Sequence, residues 1–483
     1  MKRTGFSACG GSRGAFALGA CLIPLLKWLW ADTRISWRLR VQPEDGYGLN
    51  MRCHAPFGLL LVIAACAISS ISLWPHALSS PGIDLFRFWA IGAVHKAYPG
   101  QLGSPYLAPD EYAAALKQLL AVTEQTVLAR IANVSLPFDL TATPLLYYMH
   151  ALAPADYLTF LTRYRLVQIA SAWIAVSIIG MTRSGHWIFP LIFAALLCLA
   201  YDPLLLDVNV GNTNALQLLA MTCVTVLLAK SRHLPRFSQV GIVLMLAVIL
   251  LFKPTLTLSA LLLIWVFFGN MTPVGRVTWA FGVALSTVLL ALLPCLYFGT
   301  WGVWLDWYRE LTSNALRISY PMSAGNFSTT SYLAKELNVT ILLAAAAIGG
   351  GLLCTIGLLL PRGVWFPTLS ADANGGHRLY LAVSFGLIVT LALSPLVWQH
   401  YLVLLLFPVV YLLFEQSSSR SVVILASLSL LLCLGFGRRI FSLHLGIPLE
   451  WVELSNILAW VPAWFALLLS VRAMTFERNW DGH

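Results

Sequence analysis

Residues 58–74 read GLLLVIAACAISSISLW, and after four further residues the stretch 79–92 reads SSPGIDLFRFWAIG. The first stretch is apolar and of the length that crosses the hydrocarbon core of a bilayer. The second sets one carboxylate, Asp84, among isoleucine, leucine, phenylalanine and tryptophan side chains. A charge in apolar surroundings costs free energy unless it is paired or has a function. The two stretches therefore predict a membrane span followed by a carboxylate with a functional role.

The composition extends this prediction to the whole chain. Of its 483 residues 59% are hydrophobic and 10% are charged, against about 25% charged residues in soluble domains. We therefore predict an all-α polytopic membrane protein with a bundle of about twelve transmembrane helices. The expected spans are roughly 55–74, 157–180, 187–204, 213–229, 238–252, 255–269, 277–297, 339–360, 379–394, 400–414, 421–436 and 456–472.

Lysine and arginine set the predicted orientation. The short polar joints such as MTRSGH, KSRHLPRFSQ and GNMTPVGR all carry arginine, which the positive-inside rule assigns to the cytoplasm. The long loops 75–156, 201–212 and 298–338 are then outside, with short interfacial helices expected over 84–98, over 109–130 and from Pro144. We interpret residues 1–50 as an N-terminal extension outside the fold. Residues 51–483 then form one transmembrane domain, which starts at Met51.

Several classes of function are disfavoured. The net charge of +10 comes largely from residues at span ends and contains no basic run with interleaved aromatics, so we expect no nucleic-acid partner. The nine cysteines include no CxxC pair, and no acidic cluster has obvious Mg²⁺ geometry, so we expect neither a metal nor another cofactor. The chain also lacks a nucleotide-binding loop. An enzyme of this kind would use an activated substrate that is itself carried on a lipid.

Polar residues collect in the loops predicted to lie outside. Asp84 either accepts a proton or simply caps a helix that begins at Leu85. Tyr147, in a stretch that also holds Asp139, belongs either to a ligand site or to an interfacial aromatic belt. In the stretch 206–221 three amides, Asn209, Asn212 and Asn214, precede a span. They exceed what helix capping needs, which favours binding of hydroxyls or phosphate oxygens.

Two further clusters lie at turns between spans. Lys253 precedes Pro254, and it either snorkels to the interface or neutralises a phosphate. Trp398, Gln399 and His400 occur where a span re-enters the membrane from outside, and adjacent polar groups there favour a functional role. Outer arginines, of which Arg87 is one, are candidates to bind an anionic lipid head.

Six motifs, in this order, resemble the pattern of glycosyltransferase family 87 of the GT-C superfamily of membrane glycosyltransferases. They are DLFRFW (84–89), TPLLYY (143–148), VGNTN (210–214), FKP (252–254), AGNFSTTSYL (324–333) and SPLVWQHY (394–401). The family includes polyprenyl-phosphate-mannose-dependent α-mannosyltransferases. The resemblance spans residues 55–460, with one departure: family members commonly have glutamine where this chain has Asn212.

The resemblance implies a GT-C-type bundle that transfers a monosaccharide, such as mannose, from a polyprenyl-phosphate donor to a glycolipid or envelope glycan acceptor. It implies Asp84 as catalytic base, with His400 also at the active site. We expect inversion at the anomeric carbon, because no second carboxylate offers itself as a nucleophile. Donor phosphate and lipid contacts are expected from Lys253, Arg87, Gln399 and Trp398. Sugar or acceptor contacts are expected from Asn209, Asn212, Asn214, Asn326 and Tyr147.

We expect a multi-pass protein of a bacterial inner (plasma) membrane, surrounded by membrane lipids, with an extracytoplasmic active site. A secondary transporter or flippase of lipid-linked sugars is the alternative, since many spans with intramembrane polar residues also suit transport. Polar groups gathered at one surface, without an internal repeat, favour the transferase.

Overall fold

The computed structural model of the chain describes residues 57–122, 126–136, 140–153, 156–184, 187–230, 236–269, 271–317, 326–360, 376–415, 418–434 and 454–480. The described residues from 63 onward belong to one compact unit, and all the site residues discussed below lie in it. The predicted extension 1–50 and Asp139 lie outside the described residues.

Regular structure in these ranges is helical. The first ten helices are α1 Phe57–Ser70, α2 Trp74–Ser79, α3 Ile83–Ala97, α4 Pro109–Val122, α5 Thr126–Ser135, α6 Pro144–Ala151, α7 Tyr157–Ser184, α8 Ile188–Ala200, α9 Asp202–Val210 and α10 Asn214–Ala229. The others are α11 Arg236–Phe252, α12 Thr257–Gly269, α13 Pro273–Phe298, α14 Val303–Arg317, α15 Thr329–Glu336, α16 Ile341–Leu359, α17 Gly376–Leu393, α18 Leu406–Phe414, α19 Arg420–Cys433 and α20 Trp460–Trp480. Short 3₁₀ turns cover Ile71–Leu73, Pro254–Leu256 and Gln399–Leu405.

Six helical segments of the described chain are long and apolar enough to cross a membrane, and two bent pairs raise the number to eight if each pair is one span. This confirms an all-α membrane protein, whereas the predicted count of about twelve spans is not confirmed. The six are Leu59–Ala97, Tyr157–Ser184, Pro273–Phe298, Ile341–Leu359, Gly376–Leu393 and Leu454–Ala473. The bent pairs are α9 with α10, at 115°, and Gln239–Phe252 with Pro254–Gly269, at 120°.

The short helices near the first span differ in detail from their predicted bounds. Helix α3 begins at Ile83, with Gly82 as its N-cap residue in the left-handed conformation at φ 64°. Asp84 therefore lies in the first turn, and the interpretation of Asp84 as the N-cap of a helix from Leu85 is wrong. The helix predicted over 109–130 lies in two helices, α4 and α5, while α6 begins at Pro144 as predicted.

Close backbone contacts at two glycines join α3 to α6 and α17 to α12. At Gly92 in α3, a Cβ atom would lie 2.5 Å from the Cα of Ala151 in α6. At Gly386 in α17, a Cβ atom would lie 2.5 Å from the Cα of Ser259 in α12. Real Cβ atoms do not approach other atoms so closely, so each glycine lets two helices pack backbone to backbone. These contacts hold α3 and α17 in fixed positions.

Candidate functional site

Asp84 lies in the first turn of α3, and its side chain is 22% exposed. The backbone N–H groups of a helix start favour a negative charge at that position. One turn further along α3, Arg87 brings a guanidinium nitrogen to 3.8 Å from an Asp84 oxygen. Arg87 also donates from Nε to the carbonyl of Ser135, at 3.0 Å, which ties its side chain to α5. The carboxylate of Asp84 thus remains partly accessible beside a cation.

The break between α9 and α10 lies against the start of α3. Gly211 ends α9 in the left-handed conformation at φ 71°. A Cβ atom on Gly211 would lie 2.7 Å from the Cβ of Leu85 and 3.6 Å from the Cα of Gly82. Only glycine meets both demands, a positive φ and a backbone approach this close. The turn therefore sets Asn212 directly beside Asp84.

Helix α7 holds both the segment before α3 and the turn between α9 and α10. Tyr157 donates to the carbonyls of Pro81 and Gly82, at 2.6 and 2.9 Å. Tyr164 donates to the carbonyl of Asn212 at 3.1 Å, and Gln168 donates to the same oxygen at 2.6 Å. These bonds attach the start of α3 and the α9–α10 turn to one helix.

Arg165 on α7 adds a third attachment. This side chain is buried and donates to the carbonyls of Leu78 and Ser80 at the end of α2 and to that of Val208 near the end of α9. Its hydrogen bonds join the ends of α2 and α9.

Asn212 is the residue through which the predicted site residues meet. Its Nδ2 donates to Oδ2 of Asp84 at 2.7 Å and contacts Nε2 of His400 at 3.1 Å. Its Oδ1 accepts from Nζ of Lys253 at 2.8 Å and from the backbone N–H of Thr213 at 2.7 Å. One amide group therefore links an acid, an imidazole and an ammonium.

These contacts fix the orientation of the amide and the tautomer of the imidazole. The oxygen must face the ammonium and the Thr213 N–H, because both are donors, and the nitrogen must face the carboxylate. An amide nitrogen has no lone pair to offer, so Nε2 of His400 accepts its hydrogen bond. His400 is accordingly neutral in this arrangement, with its proton on Nδ1.

Lys253 occupies the break between α11 and α12, in extended conformation at φ −160°. Pro254 follows at the start of the 3₁₀ turn, as the predicted rigid turn requires. The ammonium donates to Oδ1 of Asn214 at 3.4 Å as well as to Asn212, and it lies 4.3 Å from the ring centre of Tyr401. Lys253 is buried. The structure therefore does not support the alternative in which it snorkels to the interface.

His400 lies in the 3₁₀ turn Gln399–Leu405, and a second segment holds the loop before it. Oδ1 of Asn326 accepts from the N–H groups of Val397 and Ser328, both at 3.1 Å, and its Nδ2 donates to the carbonyl of Pro395 at 3.3 Å. Asn326 also forms an isolated bridge with Trp398. In the structure Asn326 thus clamps the loop that leads to His400, and its predicted sugar contact stays a prediction.

The other predicted residues lie further from Asn212 along their elements. Gln399 donates to Oδ2 of Asp202, at 3.2 Å, which joins the His400 turn to α9. Asn209 is half-buried on α9. Tyr147 is buried in an aromatic cluster, with its ring centre 5.9 Å from those of Phe88 and Tyr106. The sugar contacts predicted for Asn209 and Tyr147 stay predictions.

His150, on α6, contributes to the wall behind the site. Burial lowers the pKa of His150 to about 4, against a smaller opposing effect of its hydrogen bond with the carbonyl of Leu146. It is therefore neutral at physiological pH, and its ring packs 5.2 Å from Phe88 and 5.8 Å from Tyr164. Tyr164 in turn holds Asn212, so His150 supports the site without adding charge.

The sequence interpretation overlooked Asp207 and Gln168. Asp207 has no exposed surface, and its carboxylate accepts from Asn214 and Gln168. The available signal was the same as for Asp84, a lone carboxylate within an apolar run, LLLDVNV. Gln168 lies inside a predicted span, where a polar residue is also costly.

No group of three or more histidine, cysteine or acidic side chains suited to a metal ion occurs in the described ranges. Comparison with protein-family models, with curated proteins and with solved structures finds no match to this chain.

Proposed function

We propose that the chain is a membrane glycosyltransferase of the GT-C type. It transfers a monosaccharide, mannose in the first instance, from a polyprenyl-phosphate donor to a glycolipid or envelope glycan acceptor on the extracytoplasmic face of a bacterial inner membrane. The observation that carries the proposal is the Asn212 amide, which holds Asp84 and His400 at 2.7 and 3.1 Å on one side and Lys253 at 2.8 Å on the other. A base and a cation for a leaving phosphate thus lie within one hydrogen-bonded group.

The chemistry follows from these two charges. The acceptor hydroxyl oxygen attacks the anomeric carbon while the carboxylate of Asp84 takes its proton. The bond from the anomeric carbon to the phosphate oxygen breaks, and polyprenyl phosphate leaves with the electron pair. The ammonium of Lys253 and the guanidinium of Arg87 stabilise the charge that develops on that phosphate. Direct displacement by the acceptor inverts the anomeric carbon.

The cationic residues of the site suit a phosphate better than a neutral sugar alone. Arg87 pairs with Asp84, and Lys253 donates to Asn212, so a cation adjoins each member of the Asp84–Asn212 pair. Asp84 already accepts from an amide nitrogen at 2.7 Å, so it is oriented as an acceptor before any substrate arrives. Such pre-organisation is what a general base requires.

Transport of a lipid-linked sugar is the second candidate, and the two bent helix pairs favour it. Broken helices with polar residues at the break form substrate sites in secondary transporters. Here the breaks carry Asn212 and Lys253. The two candidates differ in product: a transferase makes a new glycoside, whereas a transporter moves the donor across the bilayer unchanged.

The test uses membranes that contain the full chain, radiolabelled polyprenyl-phosphate mannose and a lipid extract as the source of acceptor. We expect a labelled glycolipid to form in wild-type membranes. Asp84→Asn keeps the size of the side chain and its acceptor oxygen for Asn212 but removes the base. The transfer rate should therefore fall at least about 100-fold, the usual contribution of a general base.

Asp110→Asn is the matched control, because Asp110 is an exposed carboxylate in the first turn of α4, outside the site. Its transfer rate should equal that of the wild type. Normal transfer by Asp84→Asn would overturn the assignment of the base. Movement of labelled donor across the bilayer without a labelled product would favour the transporter.

A further inference from the structure

Asp207 is a fully buried carboxylate that none of the proposed catalytic steps uses. It lies on α9, and its Oδ1 accepts from Nδ2 of Asn214 at 2.8 Å. Its Oδ2 accepts from the backbone N–H of Ala215 at 3.2 Å and from Nε2 of Gln168 at 3.3 Å. A buried carboxylate with three donors is well satisfied, and it strongly orients each donor.

Asn214 passes this orientation on to Lys253. Because its nitrogen faces Asp207, its Oδ1 points the other way and accepts from Nζ of Lys253 at 3.4 Å. Asn212 makes the corresponding bridge on the other side, with its nitrogen on Asp84 and its oxygen on Lys253. The ammonium is thus joined to two carboxylates, Asp84 and Asp207, each through one asparagine amide.

We propose that Asp207 is a positioning residue that, through Asn214, holds the ammonium of Lys253 in place beside Asn212. The inference rests on the proposed function for what the ammonium then meets, the phosphate of the lipid-linked donor. Its effect on Lys253 itself is a property of the protein alone. A buried ammonium also needs nearby negative charge, and an amide bridge supplies it without closing the lysine into a direct ion pair.

Asp207→Asn is the smallest change that breaks the hydrogen bonds that join Asp207 to Lys253 through Asn214. Asparagine keeps the shape of the side chain but has only one acceptor oxygen for three donors, so its own NH₂ must face one of them. The double variant Asp207→Asn with Asn214→Asp restores a consistent set. The new amide nitrogen donates to the new carboxylate, whose second oxygen accepts from Lys253.

The first measurement is the acetylation rate of Lys253 in the purified full-length protein, read by mass spectrometry against the exposed Lys117 in the same molecule. In Asp207→Asn the rate at Lys253 should rise at least about fivefold, because a side chain that loses a charge-assisted network becomes mobile and accessible. The double variant should return close to the wild-type rate. An unchanged rate in a folded Asp207→Asn protein would overturn the inference.

The second measurement is transfer kinetics. Asp207→Asn should raise KM for the polyprenyl-phosphate donor about tenfold and leave KM for the acceptor unchanged, since a hydrogen bond to a charged group contributes about that factor. Glu415→Gln is the matched control, because Glu415 is a buried carboxylate whose hydrogen bonds go to Arg183 and His377. It should leave the acetylation of Lys253 and the donor KM as in the wild type.

The two measurements separate the inference from the proposed function. If wild-type membranes transfer no sugar while Lys253 acetylation responds to Asp207→Asn and recovers in the double variant, the proposed function fails and the positioning role stands. If transfer occurs and acetylation does not respond, the positioning role fails alone. Should Asp207→Asn not fold, Asn214→Leu removes the same bridge and gives the same acetylation test.

Discussion

A single asparagine decides what the ionisable groups of the site can do. Asn212 uses both amide hydrogens on Asp84 and His400 and its oxygen on Lys253 and Thr213. With its hydrogen-bonding atoms engaged in this way, it orients the base and keeps the imidazole neutral. The contact with sugar that the sequence suggested for Asn212 remains untested, but its geometry is that of a residue that positions others.

Replacement of Asn212 tests this role. Asn212→Leu keeps the branching of the side chain, with somewhat larger methyl groups, and removes every polar contact, which leaves Lys253 with one amide acceptor fewer and Asp84 without its 2.7 Å donor. We expect the transfer rate to fall at least about 100-fold, because two charged groups lose hydrogen bonds worth about 1.5–3 kcal/mol each. The measurement is the initial rate of labelled glycolipid formation at equal protein level.

Thr222→Val serves as its control. Thr222 lies inside α10, the helix that begins just after Asn212, and its hydroxyl donates to the carbonyl of Leu218 at 2.8 Å. The variant loses one buried hydrogen bond in that helix and should keep the wild-type rate. A rate for Asn212→Leu within twofold of the wild type would contradict the positioning role of Asn212.

Individual residues also show how much of the site can be predicted from the sequence alone. The six motifs contain Asp84, Asn212, Asn214, Lys253 and His400, and the structure joins these five in one hydrogen-bonded network. Asn212 meets Asp84 across 128 residues of chain. A single sequence indicates that a polar residue is costly where it lies, but it does not show which distant residue satisfies it. For the same reason the pairing of Asp207 with Gln168 and Asn214 follows only from the structure.

At the scale of elements, the site residues lie at the ends of helices and at the breaks between them, not in the middle of helices. Asp84 follows a glycine N-cap, Asn212 follows the glycine that ends α9, and Lys253 lies in the break before Pro254. Glycine and proline are readable as breaks in a sequence. The bend angles of 115° and 120° that follow from those breaks are not. They depend on helix packing.

Gly211 gives a direct test of the first break. Gly211→Ala would set a methyl group 2.7 Å from the Cβ of Leu85 and would force a non-glycine residue to φ 71°. The left-handed conformation costs about 1–2 kcal/mol, and the clash displaces α3, so we expect both the melting temperature and the transfer rate to fall. Thermal unfolding of the detergent-solubilised protein measures the first, and the labelled-product assay the second.

Gly299→Ala separates the two causes. Gly299 ends α13 in the same conformation, at φ 67°, yet a Cβ atom there would meet nothing within 4 Å. This variant should lose only the conformational part of the stability and keep its transfer rate. Equal effects of the two substitutions would show that the approach of Gly211 to Leu85 does not matter.

At the scale of the whole molecule, α7 connects two polar regions. Arg165 and Gln168 support the site, and Arg183, 18 residues beyond Arg165, makes an ion pair with Glu415. At 1.5 Å per residue these two arginines are about 27 Å apart, close to the thickness of the hydrocarbon core. The helical class of the fold followed from composition. The number of spans did not, because bent and short helices read in the sequence like straight ones.

The Glu415 cluster lies just past the end of α18 and gives the protein a predictable dependence on pH. Burial by itself would raise the pKa of Glu415, but the hydrogen bond from His377 and the charge of Arg183 outweigh it and lower the pKa to about 2. A carboxylate whose pKa is lower in the folded than in the unfolded chain stabilises the fold at neutral pH. That stability is complete above the unfolded value of 4.5 and is lost as the pH falls from there towards 2.

The difference between the two pKa values corresponds to about 3 kcal/mol. Glu415→Gln should therefore unfold at lower temperature than the wild type at pH 7, and the gap should narrow to about half or less as the pH is lowered from 4.5 to 3. Thermal unfolding in detergent across this range measures it, with Asp110→Asn, an exposed carboxylate, expected to follow the wild type at every pH. A gap that stays constant down to pH 3 would mean that Arg183 and His377 do not hold Glu415 as an anion.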